Sequence, residues 1–245
     1  MSSLWLHVDE VPEAGSWAEI SREEARHAFG ARRLGTGDAI TLFDGRGTFA
    51  EARLAEERTL RGGIVAVVMW RREAPRLEPE VTIAFAVPKG DRLSTLLDLA
   101  TQAGASRLVP IECARSVVDA DKLDRGERWQ RILAESAKVA KRAWIPELVA
   151  GGALGAIAES ERARGAALAV AHTAATAPIA AWSARIPAAQ PRTVFIGPEG
   201  GFEDGELRAL EAFGATAVSL GPCVMRVEMA AIAAAVLLRG DATPA

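Results

Sequence analysis

The feature that most limits how this chain can fold is an apolar run of strand length, Val81 to Val87. It is followed by a helix-spaced segment from Leu93 to Ala103 that ends at Gly104, and by a second apolar stretch from Leu108 to Ile111. A strand that is apolar on both faces has to be covered on both, and helices alternating with such strands supply that cover, so the pattern calls for a mostly parallel sheet. The alternation resumes with a helix from Arg128 to Ala140 and strands at Ala167 to Ala171 and Val194 to Ile196. A helix from Asp204 to Phe213, a strand from Val218 to Leu220 and a last helix from Glu228 to Leu238 complete it. Alanine-rich sequence over 153–184 blurs helix against strand. The expectation for this part of the chain is an α/β domain.

The residues before it follow another pattern. Ser21 stands where it can cap a helix through Glu24 to Phe29, with acids in the first turn as the helix dipole prefers. Short strands are expected at Asp38 to Phe43, Phe49 to Leu54 and Ile64 to Met69, the first two joined by the hairpin signal Asp44-Gly45-Arg46-Gly47. These make a small barrel-like module. A charged segment with two prolines, Arg71 to Pro79, favours extended backbone and reads as a linker, dividing the chain into 1–73 and 74–245.

Composition sets broader limits. With 245 residues, 49% hydrophobic and 25% charged, the chain has enough apolar surface for one large or two small cores. A net charge of -3 does not exclude nucleic acid, because binding needs a local basic face and not a basic total. Cys113 and Cys223 lie far apart without metal-ligand spacing, which points to a reducing compartment with neither a disulfide framework nor a metal site. No apolar run approaches the roughly 20 residues of a membrane span and the N-terminus lacks a signal pattern, so the expected location is cytoplasmic with no membrane partner.

Two Gly-Pro corners carry the functional signal. Ile196-Gly197-Pro198-Glu199-Gly200-Gly201-Phe202 and Leu220-Gly221-Pro222-Cys223-Val224-Met225-Arg226-Val227-Glu228 each follow a strand, with one helix and one strand between them. Glycine permits close backbone approach and proline fixes the bend, so a pair of such corners can shape a pocket of bare backbone; either one alone serves equally well to end a buried strand. In open α/β sheets ligands bind beyond the carboxyl ends of the strands, where both corners fall. Neither corner has the GxGxxG or GxxxxGK pattern, which argues against a standard dinucleotide or nucleoside-triphosphate cradle.

With the upstream segments Ala86-Val87-Pro88-Lys89-Gly90-Asp91-Arg92, Ala103 to Pro110, Arg115-Ser116-Val117, Arg128 to Ile132, His27-Ala28-Phe29 and Gly37 to Gly45, the two corners resemble the RsmE family of the SPOUT superfamily. Its members methylate N3 of one uridine in 16S ribosomal RNA. The resemblance spans essentially the whole chain in the right order. It implies a PUA-like RNA-binding domain over 1–73 and, over 74–245, a SPOUT methyltransferase domain with a deep trefoil knot that binds S-adenosylmethionine (SAM). It also implies a homodimer acting on 16S rRNA or the small ribosomal subunit. This chain departs from the family pattern at Val227 and Met229, where the family commonly has threonines, and at Lys138 to Arg142, where it commonly has Gln-Ser-Gly-Arg.

Methyl transfer to a ring nitrogen is an in-line displacement that needs alignment and exclusion of water, not a metal or a covalent nucleophile. Loss of the N3 proton leaves charge on the flanking carbonyl oxygens, which a fixed cation would stabilise. Arg226, directly after the second corner, is the catalytic candidate; its competing role is a salt bridge to Glu228, and for Glu228 itself helix capping competes with a role as base. SAM contacts are expected from Ile196, Gly197, Pro198, Glu199, Gly201, Leu220, Gly221, Val224 and Met225, with His172 and Thr173 at the end of a neighbouring strand. Candidate RNA contacts are Arg32, Arg33, Lys89, Arg92, Arg115 and Arg142, together with Lys138 and Lys141, through phosphates. Two other readings remain open: a SPOUT enzyme with another RNA target, or a ribosome-assembly factor that binds RNA without turnover, suggested by Val227 and Met229.

Overall fold

A computed structural model describes residues 4–31, 34–59, 62–118 and 126–240, and of 27–31 the backbone alone. The chain divides into two units, one made of residues up to Arg76 together with Ala134–Ile145, the other of Leu77–Leu133 and the residues from Pro146 on.

In the first unit the strands are β1 (Leu4–His7), β2 (Trp17–Ile20), β3 (Ala39–Phe43), β4 (Thr48–Arg58) and β5 (Ile64–Glu73), with helix α1 (Arg22–Ala31) after β2. They form one sheet in the order β1-β3-β4-β5-β2, parallel at β1/β3 and antiparallel elsewhere. Alternation along the strands sends Leu6, Ile40, Leu42, Ala50, Ala52, Ile64 and Val68 into one core. The Ser21 hydroxyl accepts the Glu24 amide at the start of α1, and Asp44 Oδ1 accepts the Arg46 and Thr48 amides in the β3–β4 hairpin, as the sequence suggests. β1 and β2 were not expected, because four-residue strands with two inward side chains give almost no periodic signal. The charged segment also starts later than its composition suggests: Arg71, Arg72 and Glu73 continue β5, paired with Ala50, Phe49 and Thr48 of β4.

The second unit contains β6 (Val81–Ala86), α2 (Arg92–Gln102), β7 (Arg107–Glu112), the first part of α3 (Glu127–Ala140), β8 (Glu147–Leu148), β9 (Gly152–Ala153) and α4 (Leu154–Ala163). β10 (Ala167–Ala171), α5 (Ile179–Ser183), β11 (Arg192–Ile196), α6 (Asp204–Ala212), β12 (Thr216–Val218) and α7 (Val227–Arg239) follow. All its strand pairings are parallel, in the order β12-β10-β11-β6-β7-β8 with β9 also on β7, so the α/β reading holds. β6 and β11 lie side by side and every one of their residues is buried. Ala84, Ala86, Val109, Ile111, Val170 and Phe195 pack with Leu154 and Ala158 of α4 and Leu210 of α6, and α7 packs on β6 and β11 and against α2 and α5.

A polar tie holds the buried sheet to α4. Arg107 donates to Glu161 at 2.5 Å and to Glu147 at 3.0 Å, and the Thr193 hydroxyl donates to the other Glu161 oxygen at 2.8 Å. Burial pulls the Arg107 guanidinium down, but its bonds to Glu161 and Glu147 outweigh that and leave it raised. The strand expected over Val218 to Leu220 lies two residues earlier. β12 pairs only with β10, ending at Ala171↔Val218, after which Ser219 bridges to Pro178 and the backbone leaves the sheet. No helix among the described residues is long and apolar enough to cross a membrane.

Candidate functional site

Three strands end on the same side of the second unit and their following turns enclose one pocket of about 480 Å³. Ala171, His172 and Thr173 follow β10, Ile196 to Phe202 follow β11, and Ser219, Leu220, Gly221, Cys223, Val224 and Met225 follow β12. Val227 and Ala230 on the first turn of α7, and Arg115 beyond β7, complete the wall. The volume lies within the roughly 300–1,000 Å³ usual for small-molecule sites.

The first corner is rigid for reasons visible in its residues. The Gly201 amide donates to the Pro198 carbonyl and Gly201 takes a φ of 71°, which glycine adopts without strain. A Cβ on Gly197 would lie 2.9 Å from the Phe202 ring, so the chain packs its own aromatic side chain closely against the corner. Beyond it, Glu203 and Glu206 form a capping box at the start of α6, and Glu206 also accepts the Ala114 amide from the turn after β7.

The second corner is open toward the pocket. The Gly221 amide is taken by the Ser219 hydroxyl, whereas the amides of Leu220, Val224 and Met225 donate to no described residue. Free backbone donors next to the apolar side chains of Leu220, Met225, Ile196 and Val227 suit a ligand with a flat heteroaromatic edge and an apolar face. The early end of β12 frees the Leu220 amide, which a strand running on to Leu220 would have spent on the sheet.

All eleven residues expected to contact the cofactor, His172, Thr173, Ile196, Gly197, Pro198, Glu199, Gly201, Leu220, Gly221, Val224 and Met225, line this one pocket. His172 Nδ1 also accepts the Ala174 amide, within its own turn. Phe202, Ser219, Cys223, Val227 and Ala230 line it as well and were not among the expected cofactor contacts. Phe202, Cys223 and Val227 sit inside the two corner segments, where the signal was present; nothing in the sequence marks Ser219 or Ala230.

Arg226 is the residue before α7, exposed, in extended backbone between the two lining residues Met225 and Val227. Among the described residues its guanidinium makes no ion pair, with Glu228 or any other acid. Among the described residues none hydrogen-bonds the Glu228 side chain, whose Oε2 is buried without a partner.

The described basic candidates are divided between the two units. Arg32 and Arg33 lie outside the described residues. Lys89, Arg92 and Arg115 belong to the second unit. Lys89 is exposed, Arg92 donates to Glu199 at 2.6 Å, and Arg115 donates to the Gly200 carbonyl at 2.6 Å with its Nε 3.6 Å from Glu203. Lys138, Lys141 and Arg142 belong to the first unit, and Lys138 is buried in ion pairs with Glu24 and Glu135, which removes it from the set of surface cations. Lys141 is exposed and Arg142 half-buried. Glu199 is held below the usual carboxylate range by its own backbone amide, then by Arg92 and Lys89 against the opposing effect of burial. No group of described His, Cys, Asp and Glu residues has the arrangement of a metal site.

Known proteins match both units. A family model for the RNA methyltransferase domain matches residues 75–239, and one for an RNA methyltransferase PUA domain matches residues 20–62. A ribosomal RNA small subunit methyltransferase E from Mycobacterium bovis is 36% identical over 242 residues, covering 96% of this chain and 90% of that protein. Its counterpart in Bacillus subtilis is 28% identical, with 96% and 97% covered. Among solved structures, a Legionella pneumophila protein described as a methyltransferase, with SAM bound, superposes with a TM-score of 0.81 at 26% identity over 98% of each chain. A ribosomal RNA small subunit methyltransferase E from Neisseria gonorrhoeae shares the fold at a TM-score of 0.81 and 23% identity, with 96% and 95% covered.

Proposed function

The chain belongs to the RNA methyltransferase family whose model spans residues 75–239, and we propose from that membership that it is a SAM-dependent methyltransferase of ribosomal RNA, acting on N3 of a uridine in the 16S RNA of the small subunit. The observation that carries this reading is the single pocket at the strand ends, which collects all eleven expected cofactor residues. Its residues fit SAM: free amides at Leu220, Val224 and Met225 for the adenine edge, and apolar walls at Ile196, Leu220 and Met225 for its faces.

Bound there, SAM supplies an electrophilic methyl group on a sulfonium. The two corners bind and orient it and keep water from the reacting end. Arg226, without an ion pair among the described residues and next to the pocket wall, stabilises the charge that spreads onto the uridine carbonyl oxygens once N3 loses its proton. No metal takes part.

The finer features of the family belong to this proposal. The domain over 74–245 carries a deep trefoil knot. Support comes from the path of the chain, which leaves β12 at the sheet edge and returns through 219–226 to place α7 on the central strands β6 and β11. The module over 1–73 is a PUA-like barrel that binds RNA. The protein works in the cytoplasm as a homodimer: on α7, Met229 and Val236 are 51% and 53% exposed, an apolar face suited to a second copy of the chain.

The test is transfer of labelled methyl from SAM to small-subunit RNA or subunits lacking the modification, with mass spectrometry of the nucleosides. N3-methyluridine is expected. Label at another position would move the target, and failure of the folded protein to bind SAM by calorimetry would sink the enzyme reading.

A further inference from the structure

Two of the arginines that look like phosphate contacts in sequence are turned inward onto the first corner. Arg92, on the first turn of α2, reaches across 107 positions of sequence to Glu199 Oε1 at 2.6 Å, while its own Nε is anchored on the Lys89 carbonyl at 3.3 Å. Arg115, in the turn after β7, donates to the Gly200 carbonyl at 2.6 Å and stands 3.6 Å from Glu203. Consecutive residues of the pocket wall, Glu199 and Gly200, are thus gripped from two different elements. The grip is close, because a Cβ on Gly200 would stand 3.1 Å from Arg115 Cδ.

The neighbouring bonds act in the same direction. Glu206 accepts both the Ala114 amide, one residue before Arg115, and the Glu203 amide, so the turn carrying Arg115 is itself fastened to the start of α6. Gly197, Pro198, Gly200 and Gly201 have no side chain able to hold the corner from within, apart from the ring of Phe202 packed behind it. The Gly201–Pro198 turn bond and the Phe202 ring fix the ends of the corner from within, and at Glu199 and Gly200 two charge-assisted hydrogen bonds from outside add to that hold.

We infer that Arg92 and Arg115 are positioning residues that clamp the 197–202 corner in its cofactor-binding shape through Glu199 and Gly200, and do not serve primarily as RNA contacts. This rests on the reading of the pocket as the SAM site. Both pairs are partly exposed, with side-chain exposures of 31% and 46% for Arg92 and Glu199, so each brace contributes modestly and the two together more.

The experiment compares the full-length wild type with Arg92→Ala, Arg115→Ala, their double variant, Glu199→Gln alone and with Arg92→Ala, and the conservative Arg92→Lys. Amide hydrogen exchange over the peptide containing 197–203 is read without cofactor, and SAM affinity by calorimetry. Each alanine variant should speed exchange in that peptide and weaken SAM binding by up to about 5-fold, the double variant by about 10-fold or more, with affinity for small-subunit RNA within about 2-fold. Arg92→Lys should restore most of the loss, and Glu199→Gln combined with Arg92→Ala should be no worse than either alone. Unchanged exchange and SAM affinity with a loss of RNA affinity would overturn the inference and return both residues to the RNA surface. If the wild type itself failed to bind SAM, the pocket reading would fall, while the exchange measurement would still decide whether the clamp exists.

Discussion

Replacing Gly197 by alanine tests whether the first corner is as tightly built as its packing implies. The added methyl would stand 2.9, 3.0 and 3.3 Å from three atoms of the Phe202 ring, closer than carbon atoms tolerate. The ring has no easy escape: Phe202 is 7% exposed and belongs to the same core as Phe195, Ala166 and Leu210. Gly197 is not in left-handed backbone, so the penalty is steric and not conformational. Overpacking of this kind costs about 1–3 kcal/mol, a fall of about 2–10 °C in Tm for a chain of this length. Whatever part is relieved by pushing the corner outward appears in the pocket, where about 1.4 kcal/mol weakens SAM binding tenfold. Phe202→Leu in the same molecule should recover affinity, because it removes the ring atoms that clash. Thermal unfolding and calorimetry on the wild type and the two variants give the answer. Wild-type Tm and SAM affinity for Gly197→Ala would refute the argument, since they would mean that the Phe202 ring moves aside freely.

Further outcomes are expected at four places in the molecule. Arg226→Ala should keep SAM affinity within a few-fold and lower methyl transfer by about 100–1,000-fold in single-turnover assays, and retained transfer would make Arg226 structural. Glu161→Ala strands the buried Arg107 and Thr193 groups it satisfies, which should cost about 3–5 kcal/mol in denaturant unfolding. Burial pushes the Cys113 thiol up to about 12 from 9.0, so under native conditions iodoacetamide should label exposed Cys223 and spare Cys113. Because the folded state favours the neutral Cys113 thiol, its contribution to stability is complete below pH 9.0 and is lost as pH rises toward about 12, which pH-dependent unfolding should register. Charged substitutions at Met229 and Val236 should shift sedimentation from dimer to monomer without unfolding the chain.

Much of this protein was legible before any coordinates. Val81 to Val87 had to be a strand covered on both faces, and β6 is buried at every position because apolar residues on both sides of a pleat leave no solvated face. The two Gly-Pro corners marked where backbone would be bare, and most of the pocket wall lies within them. Other features were hidden for physical reasons. β1 and β2 are too short to show a period, and α4 lies in alanine-rich sequence where helix and strand share a composition. β12 stops at Val218 because its only strand neighbour among the described residues, β10, ends opposite it, and that early stop leaves the Leu220 amide free for the pocket. The roles of the basic residues were the least readable of all. Charge and exposure propensity make Lys138, Arg92 and Arg115 look alike in a sequence. Their partners Glu24, Glu199 and Gly200 lie 114, 107 and 85 residues away, and only the folded chain brings them within hydrogen-bond reach.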